Sequence, residues 1–87
     1  MSEAVKELIN IVIKLRSDNG CDWDRKQTSE SLTPHLIEEA NEVVDAVLED
    51  NPENLKEELG DLLLHVVFQA VIASEKKSFD FEEVVQQ

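Results

Sequence analysis

Two short acidic stretches carry the chemistry most legible in this chain: EEANE, with Glu38, Glu39 and Glu42, and EELGD, with Glu58 and Asp61. Residues three apart lie side by side on a helix, so Glu39 neighbours Glu42 and Glu58 neighbours Asp61. Two antiparallel helices joined by a short turn at Asp50 to Pro52 bring the four carboxylates of Glu39, Glu42, Glu58 and Asp61 together. Gathered carboxylates repel one another and raise their own pKa values. A hard divalent cation removes that conflict, and an oxygen-only donor set suits Mg²⁺ or Mn²⁺. The simpler reading is a pair of acidic faces solvated by water. A lone ExxE does not displace it; a second acidic pair inside an apolar helix weighs against it. On residue types alone both readings stand.

The helix holding the second pair has few polar residues. From Leu59 to Ala73, eleven of fifteen residues are apolar, and no basic residue is present. At about 100° per residue, Asp61, His65 and Gln69 fall on one line with Glu58. Gly60 sits between the two acids, where a helical glycine costs about 1 kcal/mol relative to alanine. That cost suggests close approach by a helix or a ligand, or simple packing. His65 either meets a ligand or is a satisfied core histidine. A helix apolar all round is buried all round. A chain of 87 residues is too small to enclose it, so the expected architecture is an all-α bundle completed by dimerisation, or a dimer of dimers.

The positioning elements follow from stripes and caps. Ser2 caps a first helix running to about Arg16, with Val5, Leu8, Ile9, Val12 and Leu15 on one face. Residues 17 to 33 read as a long connection with at most one helical turn around Ser29 to Leu32. It contains the sole tryptophan, Trp23, which argues for order. Thr33 as N-cap and Pro34 at the first helical position open a second helix, with Leu36, Ala40, Val43, Val44 and Val47 as its buried stripe. Asn51 and Pro52 open the third helix, which runs to about Lys77. A fourth begins at Asp80, where Glu83 completes a capping box and Phe79 and Val84 form a staple.

Composition narrows the partners. Twenty acidic residues against eight basic ones give a formal net charge of −12. Such a chain does not bind a nucleic-acid polymer through its general field, because affinity for phosphate backbones comes from Lys and Arg. Residues 38 to 61 concentrate the negative charge, and all five basic residues of the first half lie between Lys6 and Lys26. Cys21 is the only cysteine, so no internal disulfide forms and a reducing compartment is expected. No signal region and no apolar run of about 18 residues is evident, so one cytoplasmic domain over residues 1–87, with no membrane partner, is expected.

The residues also resemble a known family. The segments KLRSDNGCDWDRKQTSESLTPHLIEEANEVVDAV, EELGDLLLHVVFQAV and FDFEEVV are similar to the MazG nucleotide pyrophosphohydrolases over about residues 8 to 85. Two departures stand out. Asp22 replaces the proline usual in the GCxWD loop, and the residues end at Gln87, where many members continue into a basic segment whose phosphate-binding residues are then not expected here. The resemblance implies a helical fold assembled by dimerising, often into tetramers. It implies Mg²⁺-dependent hydrolysis of a (deoxy)nucleoside triphosphate to monophosphate and pyrophosphate, as nucleotide-pool house-cleaning. By carry-over, Glu39, Glu42, Glu58 and Asp61 are the metal ligands, and Glu38 orients the attacking water or holds a further metal. Trp23 is a candidate to stack on the base, Lys26, Arg25 and Arg16 to meet phosphate, and His65 to touch sugar or base. Two rivals remain: a related pyrophosphohydrolase acting on a phosphoribosyl-nucleotide, and a non-catalytic acidic oligomer that binds a basic partner. A calcium loop around Asp22 and Asp24 fits poorly, since it lacks the glycine and closing Glu that such a loop requires.

Overall fold

The computed structural model describes residues 1–87 and contains five helices and no strand: α1 (Glu3–Leu15), α2 (Asp22–Lys26), α3 (Thr33–Leu48), α4 (Pro52–Glu75) and α5 (Phe81–Gln86). The long α4 is the spine, and α1, α3 and α5 pack against it. Ser2 and Asn51 accept hydrogen bonds from Val5 and Asn54 to start α1 and α4, and Asp80 with Glu83 forms a reciprocal capping box on α5. Each satisfies backbone N–H groups that a helix start otherwise leaves unpaired.

The turn from α3 to α4 matters most, because it sets the acidic faces against one another. Glu49 ends α3, Asp50 turns left-handed at φ 53°, and the Asn51 N–H reaches back to the Ala46 carbonyl at 3.4 Å. Asn51 then caps α4, so the reversal is complete in two residues. The same device ends α4, with Lys77 left-handed and the Ser78 N–H on the Ala73 carbonyl.

The core joins Val12 of α1 and Leu32 of the loop to Val67, Phe68, Val71 and Ile72 of α4, flanked by Leu8, Ile9, Leu15, Leu64 and Phe81. Only nine residues are buried in the chain. Its accessible surface is 6205 Å², whereas a folded monomer of this mass exposes roughly 5,200 Å². Its radius of gyration is 13.8 Å, against about 12 Å for a compact domain of this length. Much of the excess is apolar: Ile37, Val44, Val47 and Leu48 on α3 and Leu59 and Leu63 on α4 are all exposed.

Within the single chain, the buried residues of α4 are confined to its second half. The expected α3 stripe shifts. Leu36 and Val43 are half-buried, Ala40, Val44 and Val47 are exposed, and Ala46 is fully buried. The face of α3 toward α4 instead carries Glu39, Glu42, Val43 and Ala46, so part of its apolar stripe faces outward. Two further expectations are corrected. Thr33 is the first residue of α3, preceded by Leu32 at the cap, and its hydroxyl donates to the Glu30 carbonyl. The connection from 17 to 33 contains α2, a five-residue helix without a side-chain cap. Such a helix is too short to stand alone; tertiary bonds hold it.

Arg16 supplies those bonds. Its guanidinium donates to the α2-terminal carbonyls of Asp24 at 2.6 Å and Gln27 at 3.0 Å, and forks onto Glu75 of α4 with two contacts of 2.8 Å. One side chain thus ties α1, α2 and α4 together. Gly20 makes the bend before α2, because a Cβ there would sit 2.3 Å from the carbonyl oxygens of Lys14 and Leu15.

Candidate functional site

The α3–α4 turn brings Glu42, Glu58 and Asp61 together, with one carboxylate oxygen from each within 4.8 Å of the others. Glu42 and Glu58 are half-buried and Asp61 is exposed. Glu58 is pushed up to about 7, first by a shared proton with Glu42, then by desolvation and by the charges of Glu42, Asp61 and Glu57. Glu39 lies beside the cluster. Its pKa is raised, first by desolvation and then by the charges of Asp61 and Glu42. Glu39 Oε2 and Glu58 Oε2 are sealed from solvent and accept no hydrogen bond.

Orphaned carboxylate oxygens are rare in folded proteins and call for a partner. No arginine or lysine supplies one: the ion pairs of the chain are Lys6–Glu3, Arg16–Glu75, Arg25–Asp22 and Lys56–Glu53. The donor set is purely oxygen, open to solvent on the Asp61 side. It fits a hard divalent cation such as Mg²⁺.

Glu38 is exposed and lies one turn before Glu42 on α3, at the solvent edge of the cluster. Gly60 faces open space, with nothing within 4 Å of a Cβ built on it. Of the approaches its cost suggested, the one by a neighbouring helix of this chain is therefore absent.

A cavity of about 200 Å³ opens beside Glu39, lined by Trp23, Asp24, Leu32, His35, Leu64, His65 and Phe68 as well. Trp23 is about half exposed and meets His35 edge to face, with ring centroids 5.8 Å apart. His65 is 6 % exposed, and burial holds its pKa below the ordinary histidine value, helped by nearby His35. His35 is a cavity residue that sequence reasoning missed. Its signal was its place one turn before Glu39 on α3.

The three cations considered for phosphate part ways. Arg16 is spent on Glu75 and two carbonyls. Arg25 donates to the Ser17 and Asp18 carbonyls and pairs with Asp22, bracing the bend before α2. Lys26 is exposed, joins no ion pair, and follows Trp23 at helical i, i+3 spacing on the face they share. Only Lys26 is free to meet a ligand without breaking an internal bond.

Comparison with known proteins identifies a family. The family described as the MazG nucleotide pyrophosphohydrolase domain matches residues 27–87. A nucleoside triphosphate pyrophosphohydrolase/pyrophosphatase of Thermotoga maritima is 56% identical over 81 residues, covering 93% of this chain and 32% of the relative. A nucleoside triphosphate pyrophosphohydrolase of Escherichia coli is 42% identical over 81 residues, covering 92% and 31%. One of Mycobacterium tuberculosis is 39% identical over 79 residues, covering 91% and 24%. The chain spans about a third or less of the length of these relatives.

Proposed function

The chain belongs to the MazG nucleotide pyrophosphohydrolase family, and from that premise we propose that it hydrolyses a nucleoside triphosphate between the α and β phosphates, releasing monophosphate and pyrophosphate. One observation carries the reading: three carboxylates from two helices lie within 4.8 Å of one another, next to a cavity walled by Trp23, Leu64 and Phe68. The cluster matches the needs of a triphosphate, and the cavity those of a flat ring. Their adjacency matches a nucleotide.

Glu42, Glu58 and Asp61, with Glu39 beside them, would hold Mg²⁺, for which Mn²⁺ is the natural substitute. When bound, the ion supplies neutralisation of phosphate charge and polarisation of the bond to be broken. The protein's own groups do the rest. Trp23 offers a face for the base, a contact of about 1–3 kcal/mol in other nucleotide-binding sites. Lys26 draws the phosphate tail toward the cluster. Glu38, at its solvent edge, orients the attacking water and takes up its proton as the bridging P–O bond breaks.

Self-association completes the bundle in this reading. Ile37, Ala40, Val44 and Val47 recur on α3 at the alternating three- and four-residue spacing of a coiled-coil seam. All four are exposed in the single chain. With Leu59 and Leu63 of α4 they form the surface on which a second copy packs. The physiological role in this reading is clearance of unwanted (deoxy)nucleotides from the pool.

The test is a panel of ribo- and deoxyribonucleoside triphosphates with Mg²⁺, scored for monophosphate and pyrophosphate. Release of orthophosphate instead, or activity untouched by chelation, overturns the reading. Cleavage of a phosphoribosyl-nucleotide in preference to every triphosphate moves the substrate but leaves the chemistry.

A further inference from the structure

Gln69 follows His65 by one turn of α4, and one of its atoms meets two groups at once. Its side-chain Nε2 lies 3.2 Å from the Ser29 carbonyl oxygen and 3.2 Å from His65 Nε2. A carbonyl oxygen only accepts, so the Gln69 atom facing it is the amide nitrogen. An amide NH₂ only donates, so His65 Nε2 accepts and carries no proton. The single proton of the neutral ring is then on Nδ1. Ser29 fixes the amide, and the amide fixes the tautomer. Burial of the ring favours the neutral form as well.

Nδ1 has no hydrogen-bond partner within the chain, yet it is not sealed off as Glu39 Oε2 and Glu58 Oε2 are. The ring lines the cavity beside Trp23 and Glu39. The other polar walls are Asp24 and Glu39, which are acceptors when ionised, and His35, a second imidazole at the cavity edge. The cavity of about 200 Å³ is smaller than the roughly 300–1,000 Å³ that takes a drug-sized ligand. It has room for a heterocycle, with the rest of a nucleotide outside.

We infer that His65 Nδ1–H is a hydrogen-bond donor for a ring nitrogen or carbonyl oxygen of the nucleobase, and that Gln69 is the positioning residue that sets it. This rests on the nucleotide reading of the cavity. Buried donors built for one partner reject analogues that lack it. His65 therefore tunes which bases are accepted, while the acidic cluster is indifferent to the base.

The experiment has two arms. Long-range ¹H–¹⁵N correlation on the free protein reads the tautomer directly, and the proton is expected on Nδ1. In Gln69→Glu, whose carboxylate accepts, it is expected to move to Nε2. A wild-type ring protonated on Nε2 overturns the inference. The second arm compares the four common ribonucleoside triphosphates with ribose 5′-triphosphate, which has no base. His65→Gln is expected to raise KM for at least one nucleotide by about 5–10-fold, the scale of one neutral hydrogen bond, with kcat less affected and ribose triphosphate unmoved. His65→Asn, whose amide N–H₂ stands near the lost Nδ1–H, recovers most of that loss.

Equal losses on the base-free substrate, or no recovery by asparagine, overturn the donor role. If the wild type hydrolyses nothing, the hydrolase reading falls by itself. The donor role is then decided by adding ATP to the labelled protein: a shifted Nδ1 resonance supports it, and an unmoved one overturns it.

Discussion

Glu42 of α3 and Glu58 of α4 place their carboxylates close enough to share one proton, and that contact is the largest cause lifting Glu58 to about 7. Two ionised carboxylates do not hold such a contact without a proton or a cation between them. The α3–α4 turn thus stores a conflict that either can relieve.

Stability should follow pH accordingly. Glu58 releases its proton near 4.5 when unfolded and near 7 when folded. Between those values the folded state binds more protons, so the contribution is full below about 4.5 and is lost as pH rises through about 7. Glu39, also raised, acts in the same direction. The Tm of the metal-free protein is expected to fall across this window, and Glu58→Gln to flatten the fall. A Tm that rises instead would sink the shared-proton contact.

Divalent ions should reverse that trend. At neutral pH, Mg²⁺ is expected to raise Tm and to release protons, measurable by calorimetry in buffers of different ionisation enthalpy. Glu42→Gln, Glu58→Gln and Asp61→Asn are each expected to lose at least about 100-fold in hydrolysis, as when one electrostatic stabiliser of a transition state is removed. Each should be more stable than wild type in chelator. Full activity in all three variants would refute the ligand assignment.

Arg16 should behave as a structural clamp. Its side chain is 7 % exposed and serves Glu75 and two α2 carbonyls. Arg16→Met leaves those carbonyls unpaired and is expected to cost about 1–3 kcal/mol in denaturant unfolding. Release of α2 should also change Trp23 fluorescence and raise KM. A variant with native stability and altered kcat alone would place Arg16 at the phosphates instead.

The outward apolar face makes a prediction about assembly. Val44 and Leu59 are 52% and 47% exposed in the single chain. Val44→Asp and Leu59→Asp are expected to yield smaller, less stable species by analytical ultracentrifugation, since a charge in an apolar contact is strongly unfavourable. Wild-type protein that sediments as a monomer at micromolar concentration would refute the shared bundle.

Much of this was open to sequence reasoning, and the reason is local geometry. Helical spacing fixes which residues share a face, so the pairs Glu39–Glu42 and Glu58–Asp61 were legible from three-residue intervals. Ser2, Asn51, Asp80 and Glu83 were legible because capping uses side chains within three residues of the helix start. The short turn after Asp50 followed from Asn51 and Pro52, and with it the meeting of Glu42, Glu58 and Asp61.

Other features depended on residues far apart in the chain. Helix α2 exists through Arg16 and Glu75, 59 positions apart, so no local pattern announced it. Arg16 was engaged in the same way, by Glu75, whereas Arg25 found Ser17, Asp18 and Asp22 within eight positions and Lys26 found no partner. Ser29 and Gln69, 40 positions apart, set the His65 tautomer. The sequence by itself determined the helices other than α2, the caps at Ser2, Asn51 and Asp80, and the acids that face one another, because those obey short periodic rules. Only the tertiary structure decided the cavity wall, the engagement of Arg16 and the face of α3 left outward, because each is a choice among distant partners.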